Sequence, residues 1–375
     1  MTALLPPRTS RIAVVRIRQF TEKDVPAVVE LFEQVYPQHR WLCRTGCEGY
    51  YREIFFGNPW RHLDLPSWVA EQGSDIAGFA GVLPRHMMFG ARPLRVAVGC
   101  QFMVHPSARR SLIALQLVKT VLSGSQDLYV TDGSNEQARR MWLGIGGTVP
   151  ILQNLDWTRL LRPARYALAL LDRSTRRRPL LLAARAPCAL ADALAARLHP
   201  NRFDRADDAL SDQPLTADAM LAHMPEVVDR NCPLRSLYDR SSLAWLLQQA
   251  AAKARHGQLR SRAVFDGEKL LGWFIYYARR GVVNEVLQLT ACDDAFDRVL
   301  RRLLTDAWRQ GATALRGRLD PPHVQQFSDR HCWLRREGAW TLIHSRHADI
   351  VTAIEGGAAG LSRLDGEWWL RFIGC

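Results

Sequence analysis

Two hydrophobic periodicities alternate along this chain, and the order of their alternation occurs twice. Val14–Arg18 alternates with period two, as a strand does. Thr21, with Asp24 three residues on, opens a helix over Val25–Val35 whose apolar face is Val28, Val29, Leu31, Phe32 and Val35. An aromatic loop is expected next, carrying Trp41, Tyr50, Tyr51, Phe55, Phe56 and Trp60. Strands follow at Ser67–Glu71 and Asp75–Leu83 about the turn Gln72-Gly73-Ser74, and then at Leu94–Val104. Helix Arg109–Ser123, strand Leu128–Thr131, helix Glu136–Leu143, a glycine stop at residues 144–147 and strand Val149–Trp157 complete the series. The order β-α-β-β-β-α-β-α-β reads as a mixed-sheet α/β (α+β) unit, not a helix bundle or a sandwich.

From Leu215 the pattern returns. Helices are expected from Thr216 to His223 and over Ser241–Ala254, and strands at Ser261–Phe265, Leu270–Ala278 and Val282–Ala291. Helix Asp293–Gln310, strand Ala312–Leu319, helix Pro322–Ser328 and a terminal hairpin, Trp333–Arg336 with Trp340–Ser345, repeat the first order. Between the copies lies an Arg/Ala/Leu-rich, helix-prone stretch ending in a polar run, Asp204 to Asp212. At 375 residues the chain suits two domains. The division expected is 11–158, a connector at 159–212, and 213–375.

Some classes drop out. The most apolar stretch, Pro179–Ala196, is broken by Arg185 and Asp192, so no transmembrane helix is expected. Met1–Val15 lacks the apolar run of a signal peptide, and eight scattered cysteines suit reduced thiols in a cytoplasmic protein. Cys43 and Cys47 have no second pair at zinc spacing, so no metal is expected. The net charge is +13, and 46 of the 50 basic residues are arginines. An anionic partner and the codon usage of a GC-rich genome both account for that excess.

One segment carries chemistry. In V-H-P-S-A-R-R-S-L-I-A (residues 104–114) a strand stops at proline, a short loop turns, and a helix opens on two arginines. Unpaired amides and the helix dipole make such a start a seat for pyrophosphate. Asn135 to Gly147 follows as N-E-Q-A-R-R-M-W-L-G-I-G-G. Together these segments resemble the two motifs of the GNAT family of acyl-CoA N-acyltransferases, a V-x-P strand end with its pyrophosphate loop and N-x-x-A-x-x-x-Y-x-x-x-G-F. In residues 215–346 the resemblance is one of element order only, as in tandem members of the family.

The resemblance implies that Arg109, Arg110, Ser111, Leu112, Ile113 and Ala114 face the pyrophosphate of acyl-CoA, acetyl-CoA or longer. It implies that Phe102, Met103 and Val104 run along the pantetheine and polarise the thioester, and that Asn135 approaches the pantetheine arm. Three positions depart from the family. Leu112 replaces the central glycine of the loop, and Trp142 stands where the tyrosine acid is usual. Gly99, Cys100 and Gln101 occupy the strand where many members carry a glutamate base. Gln101 is therefore one catalytic candidate. Glu285, on the strand of the second copy, is the other: a base if burial raises its pKa, a structural ion pair otherwise. His344 is a weaker candidate of the same kind. Trp273, Tyr276 and Tyr277 read as packing or as an acceptor-pocket lining.

The function these residues imply is acyl transfer from acyl-CoA, or from an acyl carrier protein's phosphopantetheine, to a small-molecule or peptide amine by direct attack. Two alternatives stay open. One is a Fem-type transferase taking its acyl group from charged tRNA, against which no aromatic and basic nucleic-acid platform is evident. The other is a non-catalytic binding protein resting on a membrane surface through Arg173–Leu198.

Overall fold

The computed structural model describes residues 15–37, 44–109, 111–171, 183–198, 210–228, 232–336 and 338–371. Arg110, Arg173 to Arg178 and the expected tail at residues 1–10 lie outside the described residues. The first half holds β1 (Val15–Gln19), α1 (Val25–Val35), α2 (Arg44–Phe55), β2 (Trp68–Gln72), β3 (Asp75–Phe89) and β4 (Arg92–Val104). It continues with α3 (Ile113–Leu122), β5 (Leu128–Ser134), α4 (Glu136–Gly144) and β6 (Asp156–Leu160). Among the described connector residues, helices α5 (Pro163–Leu171) and α6 (Arg185–Leu198) lead to β7 (Leu210–Pro214), α7 (Ala217–Val227), β8 (Leu234–Ser236) and α8 (Arg240–Ala251). The second half then runs through β9 (Gln258–Asp266), β10 (Lys269–Ala278), β11 (Val283–Ala291), α9 (Phe296–Arg309), β12 (Ala314–Arg318) and α10 (Val324–Asp329). It closes with β13 (Trp333–Arg335), β14 (Trp340–Ser345), α11 (Ala348–Glu355) and a single 3-10 turn, Trp368–Arg371.

Local chemistry explains most of these elements. Arg18 grips the Asp24 carboxylate at 2.6 and 2.7 Å, and Asp24 accepts the Thr21 N–H at 2.8 Å, so the entry to α1 is fixed from three sides. Burial opposes the Asp24 charge, yet Arg18 and Thr21 outweigh it and hold the pKa at about 2. Phe296, Val299, Leu300, Leu303, Leu304 and Ala307 recur every three to four residues along α9, and all six are buried. In the connector, Asp192 of α6 accepts the backbone N–H groups of Ala164 and Arg165 at 2.8 and 3.2 Å, which caps α5.

Among the described residues the strands form two seven-stranded mixed sheets, in the orders β1-β2-β3-β4-β5-β14, with β8 added to β3, and β13-β6-β12-β11-β10-β9-β7. Here the sequence expectation is corrected. β6 comes from the first half but pairs with β12 and β13 in the second sheet. β14 comes from the second half but pairs with β5 in the first sheet. The halves thus exchange one strand each. Apolar anchors fix the exchange: Trp157 of β6 is 1% exposed and stacks on Phe327 at 5.1 Å, while Leu342 and Ile343 of β14 are buried against the first body. A boundary at residue 158 therefore cuts through a strand of the second sheet, and one at residue 213 cuts through β7. The expected terminal hairpin does not form either, since β13 and β14 belong to different sheets.

Two further readings change. Within the expected aromatic loop Arg44–Phe55 form helix α2, with Cys47, Tyr51, Ile54 and Phe55 packed into the core, and Trp41 lies outside the described residues. The helix expected from Arg109 begins at Ile113, because Pro106–Ala108 first makes a 3-10 turn held by the His105 ring, whose Nδ1 accepts the Ser107 N–H at 3.2 Å. Among the described residues no helix is long and apolar enough to cross a membrane. No group of three or more metal-ligating side chains occurs among them either.

Candidate active site

β4 and β5 run parallel and pair only over Val96–Val98 with Leu128–Val130. Beyond that point they diverge, and a cavity of about 630 Å3 opens between them. β4 is kinked in its wall. Phe79 pairs with Met103 and Gly81 with Cys100, so Ala80 faces two residues, Gln101 and Phe102. Such a bulge leaves a backbone amide outside the ladder. Gln101 takes φ +51°, a left-handed conformation that costs a non-glycine residue roughly 1–2 kcal/mol.

Tyr129 of β5 leans into the divergence. A methyl group on Gly99 would lie 1.7 Å from the Tyr129 hydroxyl oxygen, so only glycine at residue 99 lets that ring reach the cavity. Burial, then the nearby Glu367 carboxylate and Cys100, push the Tyr129 hydroxyl well above its ordinary pKa. It stays protonated and able to donate. Trp142 cannot do this work: its indole Nε1–H is spent on the Ile343 carbonyl of β14 at 2.9 Å.

Glu367 reaches this cavity from the far end of the chain. Its Oε1 accepts the Gly133 N–H at 2.9 Å and the Thr131 hydroxyl, both on β5. Asp132 holds the turn that delivers it, accepting the Glu367 backbone N–H at 2.8 Å and the Arg318 guanidinium at 2.7 Å. Gly366 packs so closely on Asp132 that a methyl there would lie 2.3 Å from Oδ2. Nearby, Tyr238 donates to Asp365, and Trp369 is fully buried edge-on to Trp245.

The sequence-derived residues fall in different places. Gln101, Phe102 and Asn135 line the cavity, and Asn135 also caps α4 by accepting the Ala138 N–H at 2.9 Å. Met103 is buried in the core, and Val104 ends β4. Arg109, Ser111 and Leu112 lie exposed before α3, while Ile113 turns inward and Ala114 is half-buried. Ser111 Oγ accepts the Ile113 N–H at 3.3 Å, and the Leu112 side chain, 67% exposed, stands in solvent. Arg110 is outside the described residues.

Glu285 is not the raised-pKa base envisaged. It is clasped by Arg316 and by Arg363, the latter at 2.7 Å; burial works to raise its pKa, but the two guanidinium groups win and lower it. It is an ionised structural pair. His344 lies on β14 opposite Tyr129 and does not line the cavity. Trp273, Tyr276 and Tyr277 are core: their polar tips bond to Gln288, Asp306 and the Ala250 carbonyl. Sequence reasoning missed Tyr129 and Glu367, which lie on β5 and on the C-terminal turn.

The second sheet repeats the opening and then closes it. β11 and β12 are parallel over Val283–Glu285 with Ala314–Arg316 and then part, and Leu287 is bulged out of register. The chain's own residues 357–365 lie in this gap. Leu364 donates its N–H to the Leu287 carbonyl at 3.1 Å, and Arg363, 4% exposed, bridges Asp156 and Glu285. A cavity of about 150 Å3 remains.

No protein-family model matches the sequence, and no curated protein matches it in sequence. Solved structures do match in fold. A GCN5-related N-acetyltransferase from Anabaena variabilis aligns over 89% of this chain and 74% of its own, at 11% identity and a TM-score of 0.57. A GCN5-related N-acetyltransferase from Kribbella flavida aligns over 88% and 70%, at 13% identity and 0.51. The N-myristoyltransferase of Saccharomyces cerevisiae, solved with myristoyl-CoA and inhibitors, aligns over 92% and 82%, at 12% identity and 0.52. The chain has the GNAT fold in tandem, as two mixed α/β bodies.

Proposed function

We propose that the protein transfers an acyl group from an acyl-CoA thioester to an amine, which attacks the thioester carbonyl directly. The observation that carries this reading is the divergence of β4 and β5 with the bulge at Gln101 in its wall. A pantetheine arm placed in that gap completes the edge that β4 has lost. The bulge offers a backbone N–H to the carbonyl oxygen, where charge develops as the amine adds. Tyr129 then protonates the departing thiolate, taking over what Trp142 cannot supply. The pyrophosphate sits at the start of α3, where first-turn amides lack intrahelical partners, with Arg109 beside it. The N-acetyltransferases and the myristoyl-CoA-bound enzyme that share this fold support the donor class.

Thermal unfolding with CoA, acetyl-CoA and palmitoyl-CoA tests the reading. A donor at a hundred times its Kd should stabilise the protein by about 2.7 kcal/mol. Arg109→Ala should weaken that shift for all three. Absence of a shift with every thioester and with CoA contradicts the proposal, and a shift with aminoacyl-tRNA alone favours the Fem-type alternative.

A further inference from the structure

The turn that plugs the second cleft also equips the first. Arg363 and Leu364 are docked on the second sheet, and three residues after Leu364 the chain hangs Glu367 on β5, beside Tyr129 and across the gap from the bulge. The contacts that hold this turn include Arg363 between Asp156 and Glu285, Tyr238 on Asp365, Asp132 on the Glu367 amide, and buried Trp369. The Glu367 carboxylate accepts the Gly133 N–H and the Thr131 hydroxyl, but a neutral glutamine oxygen would accept both as well. Holding a charged group there costs more than a neutral amide would.

Accordingly, we infer that Glu367 is the general base of the reaction, a catalytic group supplied by one end of the chain to a donor site built by the other. This inference rests on the acyl-CoA reading of the cavity. The amine nitrogen bonds to the thioester carbon, and its proton passes to the Glu367 carboxylate. The C–S bond breaks, the sulfur keeps the electron pair, and the thiolate takes the Tyr129 proton. Solvent returns both groups to their starting forms.

His256 also lines the cavity. Burial, then Arg255, lower its pKa to about 4, and the other charges that act on it are Glu285, Arg279 and Lys253. Glu367, by contrast, acts on Tyr129 and Cys100, the residues at the point of divergence. Asp132 is a positioning residue, since it holds the Glu367 amide and does not line the cavity.

The test is thiol release from acetyl-, octanoyl- and palmitoyl-CoA, with a panel of primary amines and with water alone, between pH 6 and 9.5. Glu367→Gln keeps the acceptor oxygen for Thr131 and Gly133, so its fold and its CoA-induced thermal shift should match the parent. Its turnover should fall about 10²–10³-fold, and the loss of rate toward acid seen in the parent should disappear. Glu367→Asp should recover part of the rate and the acid limb. Turnover of Glu367→Gln within a few-fold of the parent, with the acid limb intact, overturns the inference while the CoA shift leaves the donor reading standing. So does a collapse of rate in His256→Ala with Glu367→Gln unaffected. No CoA shift and no thiol release in the parent sinks the donor reading, and this inference with it.

Discussion

The ammonium of Lys253 stands 3.8 Å from the centre of the Tyr50 ring, and burial depresses its pKa to about 7. The ring face favours the charged form, but desolvation wins. The unfolded chain holds that proton up to the ordinary lysine value of 10.5, so between about 7 and 10.5 it binds more protons than the native state does. Stability should therefore rise with pH across that window, and the burdened charge is fully present below it. Lys253→Met should stabilise the protein at pH 6–7 by an amount on the order of a few kcal/mol, shrinking toward pH 10; urea midpoints at several pH values measure it. At the reaction centre, Tyr129→Phe should cut turnover roughly 10–100-fold while leaving the CoA-induced thermal shift in place. Gly99→Ala should give a similar loss by driving the Tyr129 ring away. Trp142 was legible in the sequence as a residue that cannot protonate a thiolate. Its replacement was not, because Tyr129 reaches the cavity only through the bare Cα of Gly99, thirty residues away on a neighbouring strand. Glu367 was hidden for the same reason, since its partners Thr131 and Gly133 lie more than 230 residues before it.

At the scale of elements, periodicity found most strands and helices, missing α2, β7, β8 and α11, but not the sheet each strand joins. β6 and β14 each bury a short consecutive run, Trp157-Thr158 and Thr341-Leu342-Ile343, and a local pattern says nothing about which sheet edge receives it. Only the packed anchors decide. Trp157→Ala, a change in the first half of the chain, should loosen the second sheet and cost about 3–5 kcal/mol, read from chemical unfolding. Amide exchange should then accelerate at β12 and β13. α2 was obscured by Gly46 and Gly49, each costing roughly 1 kcal/mol of helix propensity. The spacing of Cys47, Tyr51, Ile54 and Phe55 overrides that cost through burial. The polar run ending at Asp212 concealed β7, in which Asp212 is held by Arg262 and Arg302.

At the scale of the molecule, the two-body α/β architecture was readable from the repeated order of elements, while the covalent boundary between the bodies was not. Exchange of β6 and β14 ties the halves together, and the Arg318–Asp132 pair joins the two sheets. Unfolding in urea should therefore be one transition, with tryptophan fluorescence and far-ultraviolet circular dichroism coincident; two separated transitions would contradict the exchange. Part of the arginine excess also finds its use here, in pairs such as Arg260–Asp306 and Arg330–Asp297. The central claim is that one cleft is open for the thioester and the other is closed by the chain itself. Calorimetric titration with CoA, which binds without turning over, measures it most directly. One equivalent per chain, lost in Gly99→Leu, is the expected result; two equivalents, or none, would contradict it.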